Sequence, residues 1–283
     1  MSKVSSGPRN DKTIQFQDGR TLGYAEYGNA DGKVLFYFHG HPSSRIEARF
    51  LAKQSVRAGI RLIGMDRPGM GLSSYVAGRS ISDWPTDVER LADKLHIDRF
   101  SVVGFSGGGP YALACAQRIP ERLITCGIIS GVGHTSPFLS FLSMWLPWLL
   151  LPMSKRRFQN QELAEQSLEK FVARWIEPDR KAFQIPGISE IMAASLVEAL
   201  RPGTKGAAYD GMLIGQQNWG FPLEKINFSK IYLWHGELDN QISVSSVRLL
   251  TERLAHCEAS YYPDEGHLSL IVNHASDILE TLL

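Results

Sequence analysis

The sequence predicts an α/β protein with a doubly wound, mostly parallel sheet, helices on both faces and an all-helical segment inserted in it. Three observations carry this. Strand-like and helix-like runs alternate over residues 13–130 and again over 227–283, the pattern of a parallel sheet with covering helices. Between them, residues 131–226 have no strong strand signal and read as helices separated by Pro178, Pro186, Pro202 and Gly203. Finally, the apolar run Ser101–Val102–Val103 enters Gly104-Phe105-Ser106-Gly107-Gly108 and leaves through an Ala-rich helical pattern, Tyr111 to Gln117. That is a strand, a sharp turn and a helix, with a serine at the apex. A turn this tight holds its central residue in strained backbone and exposes its hydroxyl.

The elements follow in order. Thr13–Phe16 and Thr21–Tyr27 flank Asp18-Gly19, a hairpin signal. Lys33–Phe38 is a buried strand that runs into His39-Gly40-His41-Pro42-Ser43-Ser44. Arg45–Ala58 reads as a helix stopped by Gly59, and Ile60–Met65 as the next strand, followed by the turn-rich Asp66-Arg67-Pro68-Gly69-Met70-Gly71. Ser82–His96 has apolar residues at helical spacing. Phe100–Gly104 and Leu123–Ile129 are strands. The inserted segment holds helical runs near Gln161–Trp175, Ser189–Leu200 and Lys205–Asn218. Strand Ile231–Trp234, helix Val244–Leu254, strand Ala259–Tyr262 and a last helix, Leu268–Leu282, complete the chain. The expected organisation is a disordered tail over 1–12, a core from 13–130 and 227–283, and a helical cap over 131–226.

Composition narrows the function. With 283 residues a chain buries roughly three quarters of its unfolded surface. Apolar content of 43% and charged content of 21% are those of a soluble globular protein. A net charge of +1 gives no electrostatic case for nucleic acid or acidic membranes as partners. Cys115, Cys126 and Cys257 have no metal spacing and read as small core hydrophobes in a reducing compartment. Met1–Asn10 has no apolar signal core, so residence is expected to be cytoplasmic. Pro137–Met153 is the most apolar stretch, with Phe141, Trp145 and Trp148. It is shorter than the ~20 residues a membrane span needs and is broken by Pro147 and Pro152. No stable membrane insertion is expected. The stretch reads instead as a lid helix lining an apolar pocket, with Phe105 lining it from the serine turn.

A serine hydroxyl becomes a useful nucleophile when a base takes its proton, usually a histidine oriented by a carboxylate. Two later strands end in chemistry-bearing loops: His235-Gly236-Glu237-Leu238-Asp239 and Pro263-Asp264-Glu265-Gly266-His267. In a parallel sheet such loops gather at the carboxyl edge, where Ser106 also lies. Glu237 and Asp239 are both candidate acids. Asp210, in the inserted segment, reads as a solvated or lid-anchoring residue, Asp66-Arg67 as an ion pair or loop brace, and His256 and His274 as helical surface or core residues. No His/Cys/carboxylate cluster has metal-ligand spacing, and Gly107-Gly108-Gly109 lacks the Gly-Lys-Ser/Thr of a phosphate loop. Neither a metal nor a cofactor is expected.

Taken together, the serine turn, His39-Gly40-His41-Pro42, Asp66-Arg67-Pro68-Gly69-Met70-Gly71-Leu72-Ser73, His235–Asp239 and Glu265-Gly266-His267 resemble the signature loops of the α/β-hydrolase fold superfamily. The resemblance is to the bacterial serine branch with a helical cap after the sixth strand, and it runs from about Thr13 onward. It implies Ser106 as nucleophile, His267 as general base and acid, and Asp239 as its orienting carboxylate. It also implies an oxyanion hole from the N–H groups of Gly107 and His41. A serine at this position sets the chain apart from the haloalkane dehalogenase and epoxide hydrolase branches, which use Asp. His39-Gly40-His41-Pro42 lacks the Gly-Gly-Pro-Gly form of proline iminopeptidases. The expected activity is hydrolysis of a small, largely uncharged carboxylic ester through an acyl-enzyme, by a monomer or homodimer. Carbon–carbon hydrolysis, perhydrolysis and aminopeptidase activity on the same groups are the neighbouring alternatives. A non-catalytic small-ligand receptor is the alternative from another class.

Overall fold

The structure is a computed structural model, and it describes residues 11–133, 158–216 and 218–283. Its centre is an eight-stranded sheet in the order β1-β2-β4-β3-β5-β6-β7-β8. The hairpin β1 (Asp11–Gln15) and β2 (Thr21–Gly28) is antiparallel. Strand β2 joins β4 (Ile60–Met65) antiparallel as well. From there β3 (Lys33–Phe38), β5 (Phe100–Phe105), β6 (Leu123–Ile129), β7 (Ile231–Gly236) and β8 (Glu258–Tyr262) all run parallel. Strand β1 opens at Asp11, inside the expected polar tail.

All six residues of β5 are buried, as in a parallel sheet covered on both faces. Alternate side chains divide between two cores. Phe36, Phe38 and Val102 pack with Trp84 and Tyr111 on one face. Leu35, Tyr37, Val103 and Phe105 pack with Leu51, Leu270 and Ile271 on the other. The covering helices are α1 (Arg49–Arg57), α2 (Trp84–Lys94) and α3 (Gly109–Arg118) in the first half. Among the described residues the inserted helices are α4 (Gln161–Val172), α5 (Glu177–Phe183), α6 (Ile188–Ala199) and α7 (Lys205–Ile214). The last three are α8 (Val244–Glu252), α9 (His267–Asn273) and α10 (Ala275–Leu282). The expected Arg45–Ala58 helix starts as a 3-10 turn over Arg45–Ala48. The expected last helix is two helices that meet at His274. Helix α5 sits where Pro178 reads as a break. Proline in the first turn lacks only an N–H that has no intrahelical partner, so here it starts a helix. His256 lies in the bend before β8, off any helix.

Register brings the strand ends together. Phe38 pairs with Gly104, Phe105 with Ile129, Ile129 with Trp234, and Gly236 with Tyr262. The loops after β3, β5, β7 and β8 therefore leave the sheet at one edge. Helices α6 and α7 dock over that edge through polar contacts. Ser195 Oγ lies 2.7 Å from Ser43 Oγ and accepts from the Ser44 N–H at 3.0 Å. Glu198 Oε1 is 3.0 Å from Arg45 Nη1, and Asp210 Oδ2 is 2.8 Å from Arg67 Nη2.

Candidate active site

Strand β5 turns into α3 through a single 3-10 turn, Ser106–Gly108. Ser106 has φ +51°, a left-handed conformation that costs a non-glycine residue energy and marks functional turns. Tight crossing explains the flanking glycines. A Cβ at Gly104 would stand 2.2 Å from the Gly108 carbonyl oxygen, and one at Gly108 2.1 Å from that of Phe38. Gly107 packs against the loop after β3: a Cβ there would lie 3.0 Å from His41 Cβ and 3.5 Å from His41 N. The two backbone groups expected to share an oxyanion are thus neighbours.

His267 opens α9 and is buried. Its Nδ1 lies 2.7 Å from Asp239 Oδ2. The other Asp239 oxygen accepts the Gln241 and Ile242 N–H groups, each at 2.8 Å. With Nδ1–H donating to a carboxylate, Nε2 is left as an acceptor. Burial alone would pull the imidazole pKa down, yet Asp239 overrides it and holds it above the usual value. Burial alone would raise Asp239, and His267 with the Ile242 amide holds it below. The rival acid, Glu237, turns outward and pairs with Arg248 at 2.6 Å. His235 braces the same loop, its Nε2 3.0 Å from the Ile242 carbonyl.

His41 Nδ1 lies 3.1 Å from Asp210 Oδ2. Asp210 is fully buried, contrary to a solvated role. It also takes Arg67, Arg79 at 2.7 Å and the Tyr111 hydroxyl at 2.6 Å. Burial would raise its pKa, but Arg67, His41 and Arg79 hold it well below the carboxylate range. Asp66 and Arg67 do not pair with each other but act as loop braces, the other expectation: Asp66 accepts the Leu72 N–H at 2.9 Å. Asp66 bonds Arg45 Nη1 at 2.7 Å, whereas Arg67 reaches across to Asp210. The Arg67 guanidinium also holds the His39 and Gly40 carbonyls. His39 bridges its neighbours, with Nδ1 2.7 Å from the Gly40 carbonyl and Nε2 3.3 Å from the Arg67 amide.

Two further carboxylates at this edge carry no sequence motif. Glu47 is buried and accepts the Gly40 N–H at 2.6 Å and the Tyr37 hydroxyl at 3.1 Å. Burial pushes its pKa up. Asp179 accepts the N–H groups of His267, Leu268 and Ser269. Only its place beside Pro178, in the first turn of a helix, hints at it in sequence.

Ser106 and His267 line one cavity of about 490 Å³. Gly40, His41, Ser43, Glu47 and Gln241 supply its polar side, and Phe50, Phe105, Phe158, Leu168, Phe171, Trp175, Met192 and Leu196 its apolar wall. Phe105 lines it, with its ring 5.2 Å from the His267 imidazole. Phe141, Trp145 and Trp148 lie outside the described residues. Among the described residues no group of three or more His, Cys, Asp or Glu could hold a metal, and no helix is long and apolar enough to cross a membrane.

A mostly parallel sheet whose fifth strand turns through a strained serine into a helix, with a histidine–carboxylate pair on later loops at that edge, defines the α/β-hydrolase class of architecture. The family described as alpha/beta hydrolase fold matches residues 33–274, and the chain belongs to it. It is 33% identical over 124 residues to the uncharacterized hydrolase YcgS of Bacillus subtilis, covering 44% of this chain and 42% of that protein. It is 34% identical over 138 residues to a 2-hydroxy-6-oxononadienedioate/2-hydroxy-6-oxononatrienedioate hydrolase of Pseudomonas putida, covering 45% and 48%. The chain thus spans less than half the length of these curated relatives. A thermophilic esterase from Thermogutta terrifontis superposes with a TM-score of 0.72 at 17% identity, over 95% of this chain and 96% of that one. That likeness is one of fold.

Proposed function

We propose that the protein is a serine hydrolase that cleaves a small, largely uncharged carboxylic ester through an acyl-enzyme. The observation that carries this reading is the strained Ser106 sharing a cavity with His267, whose Nδ1 is held 2.7 Å from a buried carboxylate. In the first half-reaction Ser106 Oγ attacks the ester carbonyl while His267 Nε2 takes its proton. The tetrahedral oxyanion accepts the N–H groups of Gly107 and His41. As the carbon–oxygen bond breaks, imidazolium returns the proton to the departing alcohol. Water then attacks the acyl-enzyme with His267 again as base, and the acid leaves. Losing one oxyanion donor costs about 2.7–4 kcal/mol in such reactions. The inserted helices serve as the cap that covers the substrate.

The lining supports the substrate class. No Lys or Arg lines the cavity among the described residues, and Glu47 is its one acidic side chain apart from the reacting groups. A dianion such as the one in the name of the Pseudomonas putida relative would meet no cation among these described lining residues. This favours an uncharged ester over that relative's substrate, while carbon–carbon hydrolysis by the same groups is the second reading, favoured by the identity to it.

The test is a fluorophosphonate probe together with p-nitrophenyl butyrate turnover. An adduct on Ser106 and loss of turnover in Ser106→Ala are expected. No adduct, with turnover in Ser106→Ala equal to wild type, overturns the reading.

A further inference from the structure

His267 is the first residue of α9, where N–H groups have no intrahelical acceptor. The preceding Gly266 has no side chain to cap them. The acceptor comes instead from α5, 88 residues earlier in the chain. Asp179 Oδ2 takes the His267 N–H at 3.0 Å, and Oδ1 takes those of Leu268 and Ser269, each at 2.9 Å. Asp179 is fully buried, and among the described residues no Lys or Arg forms an ion pair with it. Its carboxyl oxygens are held instead by three backbone donors, beside the backbone of the residue that must accept a proton. Gly266 makes the approach possible. A Cβ there would lie 2.5 Å from Asp179 Oδ1 and 2.4 Å from Ile176 Cδ1, although its backbone (φ −108°) suits any residue.

We propose that Asp179 is a positioning residue for His267: the inserted helices fix the general base, so that their seating on the core and the competence of the base are one event. This rests on the hydrolase reading above. The three hydrogen bonds pin the His267 backbone from the insertion, while Asp239 orients its ring from the core. If α5 lifted away, three helix-terminal N–H groups would lose their acceptor and His267 its anchor. Among the described residues four ionisable groups face His267: Asp239 and His235 from β7 and its loop, Glu47 from the turn after β3, and Asp179 from the insertion. The three carboxylates all favour the imidazolium. Removing one lowers the proton affinity, and the imidazole stays a free base to lower pH.

The experiment uses Asp179→Asn and Gly266→Ala in the full chain, with kcat and KM for p-nitrophenyl butyrate followed against pH beside thermal unfolding. Misplacing a reacting group by an ångström costs about 10²-fold, and a loss of that order in kcat is expected for Asp179→Asn. KM should stay within roughly twofold, because substrate contacts are intact. The acid limb of kcat/KM should move to lower pH. Gly266→Ala keeps the carboxyl group but displaces it, so its kcat should fall while its acid limb moves less than that of Asp179→Asn. A merely structural Asp179 would lower the melting temperature but leave kcat per folded molecule and the acid limb at wild-type values, which overturns the proposal. If Asp179→Asn does not fold, Gly266→Ala decides: wild-type kcat there also overturns it. Ser106→Ala separates the two levels, because turnover retained in that variant removes the hydrolase reading itself.

Discussion

Asp239→Asn changes one atom, and the contacts of the loop dictate where that atom goes. One Asp239 oxygen accepts two backbone N–H groups at 2.8 Å, from Gln241 and Ile242. An amide –NH₂ placed there would point donors at donors and leave both N–H groups unsatisfied, at about 1–3 kcal/mol each. The Asn carbonyl therefore takes that side, and the –NH₂ faces His267 Nδ1, 2.7 Å away in the native protein. Nδ1 must then accept, which moves the imidazole proton to Nε2. An Nε2–H cannot take a proton from Ser106. The same substitution in a serine protease, which leaves geometry intact and inverts the tautomer, lowers kcat about 10⁴-fold. At about 1.36 kcal/mol per decade that is a barrier about 5.4 kcal/mol higher. The assay is p-nitrophenyl ester turnover at pH 7 on protein shown to be folded by near-ultraviolet circular dichroism. A folded Asp239→Asn within tenfold of wild type in kcat would refute the reasoning, because Asp239 would then not set the tautomer of the base.

Other outcomes follow from the same structure. Asp210→Asn leaves Arg67 and Arg79 buried with less countercharge, and breaking a buried ion network costs about 3–5 kcal/mol. The denaturation midpoint should fall accordingly, and an unchanged midpoint in urea would contradict the buried hub. The His267–Asp239 pair also sets a pH window for stability. Asp239 is held below its usual pKa, so its contribution is complete above about 3.9 and is lost as pH falls through the folded value. His267 is held above its usual pKa, so its contribution is complete below about 6.5 and is lost as pH rises through the folded value. The melting-temperature difference between wild type and Asp239→Asn should therefore be largest between those limits. A difference that is flat from pH 3 to 9 would rule out the coupling.

The serine turn was legible because it is local. A strand must cross a helix at close range there, and only glycines at 104 and 108 leave room beside the Gly108 and Phe38 carbonyls. That demand is written in consecutive residues. The parallel strands were legible for a similar reason, since strands buried on both faces, such as β5, need unbroken apolar runs. Proline was read too simply at Pro178, where it opens α5 instead of ending a helix.

Residues alone determined the sheet, the order of its loops and the short set of groups able to act at its edge. Tertiary structure decided which of them meet. It turned Glu237 out to Arg248 and Asp239 in to His267, a choice two residues of spacing cannot make. It separated Asp66 from Arg67 and paired Arg67 with Asp210, 143 residues away. It also brought Asp179 under His267 and Glu47 under Gly40, neither within any motif. The physical reason is the same in each case. A turn's glycine requirement is set by its own backbone, whereas a buried carboxylate's partner is set by how separate helices and loops pack, which no local pattern records.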